Sequence, residues 1–202
     1  ERFFMAYLRD KEYRIIQQIA TRHVINSVVR SHMDSIEDEH REYAGGVDRF
    51  LSKAVAITHV YSNEAQKEKL LQSAVKRVLA IKSNPWASCL LRDGTQQNAK
   101  CSVNGEPQRQ NAQPRLCLGC LNADIAEGNY NGIVIYTKQD VAACRNPELP
   151  WFIKEQHYHT VKLALKRVED LRHNSNNPKY DKFIAHLKDT LLIADAQRGQ
   201  AA

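Results

Sequence analysis

Four of the five cysteines lie in one stretch of the sequence that has neither helical nor strand periodicity. Residues 83–131 are rich in Gly, Pro, Asn and Gln, and they contain Cys89, Cys101, Cys117 and Cys120. A compact domain seldom holds a structureless segment of roughly 50 residues unless something other than an apolar core organises it. The stretch therefore predicts a metal-organised module, and it constrains the fold more than any other feature of the chain.

The closest pair of these cysteines has the spacing of a metal-binding turn. Two residues separate Cys117 from Cys120, which lets both sulfurs face one point, and Gly119 permits the tight turn between them. Zn²⁺ takes four ligands in a tetrahedron, so Cys89 and Cys101 are the natural second pair. The separations of 11 and 15 residues before Cys117 are longer than those of common zinc fingers. We therefore predict one structural Zn²⁺, bound by Cys89, Cys101, Cys117 and Cys120.

Three other uses of these cysteines stay open from the sequence. They could be unligated buried thiols, a disulfide, or a redox pair, although a redox Cys-x-x-Cys normally opens a helix after a strand. Cys144 is expected in a later helix as a core residue, and either Cys144 or His157 could replace Cys89 as a ligand. Since the expected ligands are thiolates and leave no coordination position open, the metal is expected to hold the fold and not to perform catalysis.

The amino-terminal part of the sequence predicts helices. Apolar residues recur at three- and four-residue steps from Phe4 to Val29 and form a stripe that a helix would bury. Ser35 to Asp38 suggests a capping box for a short second helix, and residues 47–57 predict a third. Residues 63–82 predict a fourth helix with one apolar and one basic face. Its apolar face holds Leu71, Ala74, Val78 and Ile81.

The carboxy-terminal part predicts one strand followed by helices. Residues 132–136 are short, β-branched and apolar, which favours a strand. Thr137 and Asp140 suggest the start of a short helix that ends near Cys144. A long helix is predicted over residues 151–173, and Asn177-Pro178 has the pattern of a cap and first turn for the last helix.

These patterns predict a mainly α protein in three parts. Residues 1–82 are expected to form a helical domain, and residues 83–131 a zinc-stabilised loop module with at most a short strand. Residues 132–202 are expected to place a short strand and a helical hairpin against that module. Trp86 and Trp151 are expected to pack on the module, because it has few apolar residues of its own.

Positive charge is concentrated around the cysteines. The chain has 29 Lys and Arg against 23 Asp and Glu, a net charge of +6, and a sequence pI near 9.1. Residues 67–115 alone hold nine basic and three acidic side chains. Phosphate backbones bind such surfaces, so we predict nucleic-acid contacts here, with a merely solvated face as the alternative. The nine basic residues are Lys67, Lys69, Lys76, Arg77, Lys82, Arg92, Lys100, Arg109 and Arg115.

Part of the chain resembles a known family. Residues 84–89, 101–107 and 111–122 are similar to the cysteine-rich segment that some tyrosine recombinases, phage-integrase-type enzymes, carry downstream of their catalytic domain. In that family too, a loop that ends in Cys-x-x-Cys precedes a long helix rich in Glu, Arg and Leu, like residues 151–173. The resemblance covers about 90 residues, 83–173, and it implies a role in DNA integration and recombination.

The catalytic residues of that family have no counterpart in this chain. A tyrosine recombinase needs a tyrosine nucleophile and a His-x-x-Arg that neutralises the transferring phosphoryl group. None of the eight histidines begins such a motif, and the nearest match pairs His159 with Lys162. None of the eight tyrosines lies in the family's sequence context. The resemblance thus implies the part that follows an active site, or a relative without one.

We expect the chain to be a DNA-binding accessory region of an integrase-like protein, with DNA and recombinase subunits, or further copies of itself, as partners. The alternative is a zinc-stabilised helical module for protein–protein interaction, and a third possibility is a nuclease or recombinase with unrecognised catalytic residues. The chain does not begin with Met, which suggests a piece of a longer polypeptide. No signal peptide and no apolar run of the ~18–20 residues needed for a membrane span are visible, so a bacterial-type cytoplasmic location with reduced thiols is expected.

Overall fold

The computed structural model describes residues 2–37, 43–58 and 63–200, of which the side chains of 2–12, 37, 57, 58 and 200 lie outside the description. The helices are α1 (Arg2–Glu37), α2 (Gly46–Thr58), α3 (Glu64–Arg77), α4 (Pro114–Cys117), α5 (Tyr130–Tyr136), α6 (Lys138–Arg145), α7 (Trp151–Ser175) and α8 (Asp181–Gln200). The strands are β1 (Tyr43–Gly45), β2 (Val78–Asn84), β3 (Ala87–Arg92), β4 (Ser102–Val103), β5 (Glu106–Pro107) and β6 (Ala123–Ala126).

A four-stranded antiparallel sheet lies between two groups of helices. Its strand order is β1-β6-β3-β2, so the strand after the cysteines, β6, is inserted between β1 and β3. The short strands β4 and β5 form a separate hairpin. The middle of the chain is thereby tied by backbone hydrogen bonds to residues on both sides of it.

The first hydrophobic cluster is built from α1, α2 and α3. Buried residues of α1 recur as Ile25, Val29, Met33 and Ile36, which is the spacing of one helical face. α3 begins after Asn63, whose side-chain oxygen accepts a hydrogen bond from the backbone N–H of Ala65 at 2.9 Å. The α3 residues that face this cluster are Leu71, Ala74 and Val75.

The second hydrophobic cluster lies between the sheet and α5 to α8. Ile125 of β6, Ile133 of α5, Val168 of α7 and Leu187 of α8 are all fully buried in it. Asn177 caps a 3-10 turn at Pro178–Tyr180, and α8 continues directly from that turn. Within the described residues, no helix is long and apolar enough to cross a membrane.

The prediction of a mainly helical protein agrees with the structure, but the zinc-stabilised loop module is wrong. Residues 83–131 contain most of a β-hairpin, a second small hairpin, α4 and strand β6. In the described part of the chain, no three His, Cys, Asp or Glu side chains are arranged as a metal-binding group. Strands that are distant in sequence pair with one another and organise this stretch, where the sequence predicts a metal ion.

Two further predictions fail at the borders of elements. The fourth helix ends at Arg77 instead of Lys82, and the chain continues as β2, with an irregularity in the pairing between Val78 and Ala80. No short second helix starts at Ser35, since α1 runs through it to Glu37, while Asp38 lies outside the described residues.

The predicted strand at residues 132–136 is a helix. Gly132 of α5 packs directly on the turn between β2 and β3, where an added Cβ would lie 1.9 Å from the carbonyl oxygen of Pro85. Thr137 does not cap α6 with its side chain, and its hydroxyl donates back to the carbonyl of Ile133 at 2.7 Å. Packing against the hairpin therefore overrides the strand preference of the β-branched residues.

A buried polar cluster joins the helices of the first cluster to the sheet. His32 of α1 is fully buried between Asp48 of α2 and Asp124 of β6, and each carboxylate has an oxygen 3.3 Å from one ring nitrogen. The ring of Tyr43 stacks on the imidazole with centroids 3.9 Å apart. Burial raises the pKa of Asp124 to about 6, and the nearby Asp48 adds to that rise while His32 opposes it.

Candidate zinc site and nucleic-acid interface

The four cysteines predicted as ligands lie around one small cavity. Cys89 comes from β3, Cys101 precedes β4, Cys117 ends α4 and Cys120 follows it, and all four line a cavity of about 20 Å³. That volume is close to the space of one water-sized sphere. The structure thus brings together thiols that are up to 31 positions apart in the sequence.

Two N–H groups, one from the backbone and one from a side chain, lie near these sulfurs. The backbone N–H of Asn122 donates to the Sγ of Cys120 at 3.5 Å. Burial raises the pKa of Cys117, and the buried indole N–H of Trp86, which has no hydrogen-bond partner within the geometric limits among the described residues, opposes that rise. Buried donors aimed at sulfur stabilise a thiolate more than a neutral thiol, which suits metal ligands.

Burial keeps these thiols protonated when no metal is bound. Burial, with a smaller contribution from Cys120, raises the pKa of Cys89 to about 11. Burial is also the first cause of the raised pKa values of Cys101 and Cys117. Neighbouring sulfurs of the cavity add to the raised pKa values of Cys89, Cys101 and Cys117, because two negative charges in one cavity repel each other. A cation among them would reverse that effect.

Three basic residues, Lys82, Lys100 and Arg109, border the same cavity. Arg109 lowers the pKa values of Cys89 and Cys101, although less than burial raises them. Lys82 also lines the cavity, and its ammonium group donates to the backbone carbonyl of Arg109 at 2.9 Å. These cations would offset part of the negative charge of four thiolates around one divalent ion.

The two alternative ligands lie elsewhere. Cys144 is fully buried in the second hydrophobic cluster, and burial raises the pKa of its thiol to about 11. The imidazole of His157 forms a 2.8 Å contact with the carboxylate of Asp140. Neither Cys144 nor His157 lines the four-cysteine cavity. A buried, protonated thiol such as Cys144 has the character of an inert core residue.

α7 holds the Cys-x-x-Cys segment in place. Arg167, nearly fully buried, donates to the backbone carbonyl of Leu118 at 2.6 Å. A Cβ on Gly119 would lie 3.2 Å from the Leu163 side chain, so the turn packs closely on α7. Arg115 donates to the side-chain oxygen of Gln156 at 3.0 Å. These contacts could not be predicted from the sequence, because they join residues more than 40 positions apart.

Several of the nine basic residues predicted to bind nucleic acid have internal partners. Arg92 is buried, and it donates to the backbone carbonyl of Leu121 at 2.7 Å while its guanidinium lies over the ring of Phe50. Lys82 and Arg109 bond to backbone carbonyls. Arg92 is therefore unsuited to phosphate contact, and Lys82 and Arg109 belong to the cavity wall. Lys67 forms an ion pair with Glu64 at 3.6 Å, and Lys100 is exposed beside the small hairpin.

Apart from Arg115 of α4, which bonds to Gln156, the remaining basic residues of the set lie on one surface of α3. We name as the α3 face the exposed residues Gln66, Lys69, Ser73, Lys76 and Arg77. Their steps of three and four residues place the first four on one side of the helix. None of them is acidic. Glu68, off this face, accepts from Arg30 at 3.0 Å and from Gln72 at 2.7 Å.

Comparison with known proteins identifies no relatives. No family model matches the sequence, and neither a curated protein nor a solved structure is significantly similar to it.

Proposed function

We propose that this chain binds DNA, as an accessory region of a protein that resembles site-specific recombinases and takes part in DNA integration and recombination. The observation that carries the proposal is the α3 face, where three exposed cations and two uncharged polar side chains lie on a 14-residue helix without an acidic neighbour on that face. The residues of the family resemblance, 84–122, support the same conclusion. Cytoplasmic, nucleoid-associated localisation follows from this function.

The charge distribution supports DNA as the partner. Lys69 and Lys76 are exposed, and Arg77 is exposed with its guanidinium 5.3 Å from the centre of the Phe50 ring. The acids nearest to them in sequence, Glu64 and Glu68, are already paired. DNA phosphates would therefore contact cations whose charge is not neutralised by these carboxylates.

We further propose that the four-cysteine cavity binds Zn²⁺ as a structural cofactor. In the described residues these sulfurs are not arranged as a metal-binding group, but thiols are the donors that Zn²⁺ prefers, and four of them from three separate segments line one small cavity with N–H groups and cations around it. A bound ion would cross-link β3, the segment before β4 and the Cys-x-x-Cys turn. It would have a structural role, because a fourth thiolate leaves no position for a substrate.

The salt dependence of DNA affinity tests the proposed function. Fluorescence anisotropy with a labelled duplex should give tight binding at low salt and a straight line of falling log K against log[salt]. A slope of about −2 to −3 is expected, since each of the three exposed cations of the α3 face contributes about −0.9 per phosphate contact. Absence of binding at low salt, or a flat line, would contradict the proposal.

One observation favours the alternative function, a protein–protein interaction module. In α1, Ile15, Ile16 and Ile19 are 48%, 62% and 65% exposed, which is unusual for large apolar side chains so close together. Sedimentation equilibrium of the wild type and of an Ile16→Asp/Ile19→Asp variant distinguishes the two functions. If the module serves association, the wild type should form oligomers that the variant does not, with DNA affinity absent in both.

A further inference from the structure

The α3 face combines two kinds of polar side chain in a regular order. Gln66, Lys69, Ser73 and Lys76 follow one another at steps of three, four and three residues. Together they cover about 15 Å of helix at 1.5 Å per residue. Along duplex DNA that length corresponds to roughly four base pairs at 3.4 Å each.

α3 is fixed firmly enough to present these side chains in one orientation. Its opposite side is buried through Leu71, Ala74 and Val75. Asn63 caps the start of the helix, and β2 follows its end without a loop. Arg30 of α1 also ties α3 to the neighbouring helix through its 3.0 Å hydrogen bond to Glu68. A helix anchored at both ends and along one side suits base recognition, which needs fixed donors and acceptors.

We propose that α3 is a recognition helix that lies in the major groove of duplex DNA. Gln66 and Ser73 contact base edges, and Lys69, Lys76 and Arg77 contact the phosphates beside them. This inference rests on the proposed DNA-binding function and specifies which surface reads the sequence. It predicts sequence-specific binding, whereas basic charge alone predicts only general affinity.

The dimensions and the chemistry both favour the major groove of DNA. That groove is about 12 Å wide and admits an α-helix, whereas the minor groove is about 6 Å wide and the major groove of A-form RNA is too narrow. A glutamine amide pairs with the N6 and N7 atoms of adenine through two hydrogen bonds, and a serine hydroxyl bonds to several base edges. The spacing of Gln66 and Ser73 places them two turns apart on the same side of α3.

The other long helices are less suited to this role. The exposed side of α7 carries Glu155 among His159, Lys162 and Lys166, so an acid lies within the basic stretch. α8 exposes Asp181, Asp189 and Asp195 among its basic residues. The exposed part of α1 presents isoleucines. Exposed Arg14 and Arg22 of α1 lie among these isoleucines, whereas α3 has a basic face that is free of both acidic and large apolar residues.

Selection of binding sequences from a pool of random DNA duplexes tests the inference. The wild type should enrich a short motif that contains adenine, and a Gln66→Ala/Ser73→Ala variant should lose the preference at one or two positions of it. One glutamine–adenine contact discriminates roughly fivefold to a hundredfold, so a drop of about tenfold in specificity is expected. The affinity of this variant for random DNA should change little, because neither side chain is charged.

Two control variants separate the possible outcomes. Lys69→Gln/Lys76→Gln should weaken binding to all sequences alike and leave the motif unchanged, and Gln110→Ala, an exposed amide outside α3, should change nothing. If the wild type binds DNA but enriches no motif, or if Gln66→Ala/Ser73→Ala keeps the motif, the recognition helix is refuted while DNA binding stands. If the wild type binds no duplex, the proposed function itself fails. Equal affinity for double-stranded RNA would also overturn the inference.

Discussion

The cysteine thiols of the cavity show how burial controls chemistry at the scale of single residues. Burial raises the pKa of Cys89 to about 11 and also raises the pKa values of Cys101 and Cys117, so these thiols hold their protons at neutral pH. Zn²⁺ binds thiolates and must therefore displace those protons. The metal and the protons compete for the same sulfurs.

We expect zinc affinity to rise steeply with pH. If three protons leave on binding, the apparent affinity should increase about a thousandfold per pH unit between pH 6 and 8, as competition with a chromophoric chelator would measure. Cys117→Ser should abolish tight binding and the sulfur-to-metal absorption band of the Co²⁺ form. Cys144→Ala is the matched control, since it removes the one cysteine that does not line the cavity. Equal metal content in both variants would refute the site.

Asp124 gives a second prediction at the residue scale. Its pKa is about 6 in the folded protein, against an ordinary value of 3.8, so the folded state holds a proton that the unfolded chain has released. This group's contribution to stability is complete below pH 3.8 and is lost as the pH rises to about 6, a loss of at most about 3 kcal/mol. The neighbouring His32 lowers the pKa of Asp124, and the neighbouring Asp48 raises it.

An Asp124→Asn variant should not show that loss, because it has no proton to release. Urea unfolding at pH 4, 5, 6 and 7 should give a wild-type free energy of unfolding that falls relative to the variant between pH 4 and 6. Glu148→Gln, at an exposed position, should follow the wild type at every pH. Parallel curves for Asp124→Asn and the wild type would show that the carboxyl group does not titrate as described.

Local spacing in the sequence was informative for cysteines and not for their surroundings. The pair Cys117 and Cys120 indicates a common point because only two residues separate them. The grouping of all four cysteines was predicted, and the structure places them around one cavity. The sequence predicts that Trp86 packs near the cysteines, but the N–H groups of Trp86 and Asn122 beside the sulfurs and the buried His32 cluster could not be predicted, because sheet pairing and helix packing create those contacts.

At the scale of elements, the errors arise where one apolar pattern suits two structures. Val78 and Ile81 continue the apolar face of α3 at helical spacing, yet they belong to β2. β-Branched residues are also favoured in strands. Residues 132–136 show the reverse case, a β-branched run that forms α5. In both places contact with a partner strand or hairpin determines the secondary structure. That partner lies outside the sequence segment that shows the apolar pattern.

Gly132 provides a test of the packing that selects the helix in α5. A Cβ there would lie 1.9 Å from the carbonyl oxygen of Pro85, a backbone atom that cannot move without shifting the β2–β3 turn. Gly132→Ala should therefore lower the free energy of unfolding by more than about 2 kcal/mol, despite the better helix propensity of alanine. Gly128→Ala, where a Cβ meets nothing within 4 Å, should be nearly neutral. Equal urea midpoints for the two variants would contradict the packing described for α5.

At the scale of the whole molecule, the sheet connects two hydrophobic clusters. Leu90 of β3 belongs to the cluster of α1, α2 and α3, while Ala87 of the same strand belongs to the cluster of α5 to α8. The cysteine cavity lies beside that strand. The helical content could be predicted from periodicity, but the sheet could not, because β1 and β6 are short and pair across about 80 residues of sequence.

The molecule thus presents the α3 face on one cluster and the cysteine cavity next to the strand that both clusters share. DNA binding by the α3 face depends on charge at particular positions, so substitutions that keep side-chain length and remove charge test it directly. Lys138 and Lys182 are exposed lysines on α6 and α8 and provide a control with the same change in net charge.

The most direct measurement compares the salt dependence of duplex DNA affinity for two double variants. Lys69→Gln/Lys76→Gln should make the slope of log K against log[salt] less negative by about 2 and weaken binding at low salt at least tenfold. Lys138→Gln/Lys182→Gln should keep the wild-type slope. If the two variants lose affinity equally, or if neither differs from the wild type, the α3 face does not bind DNA.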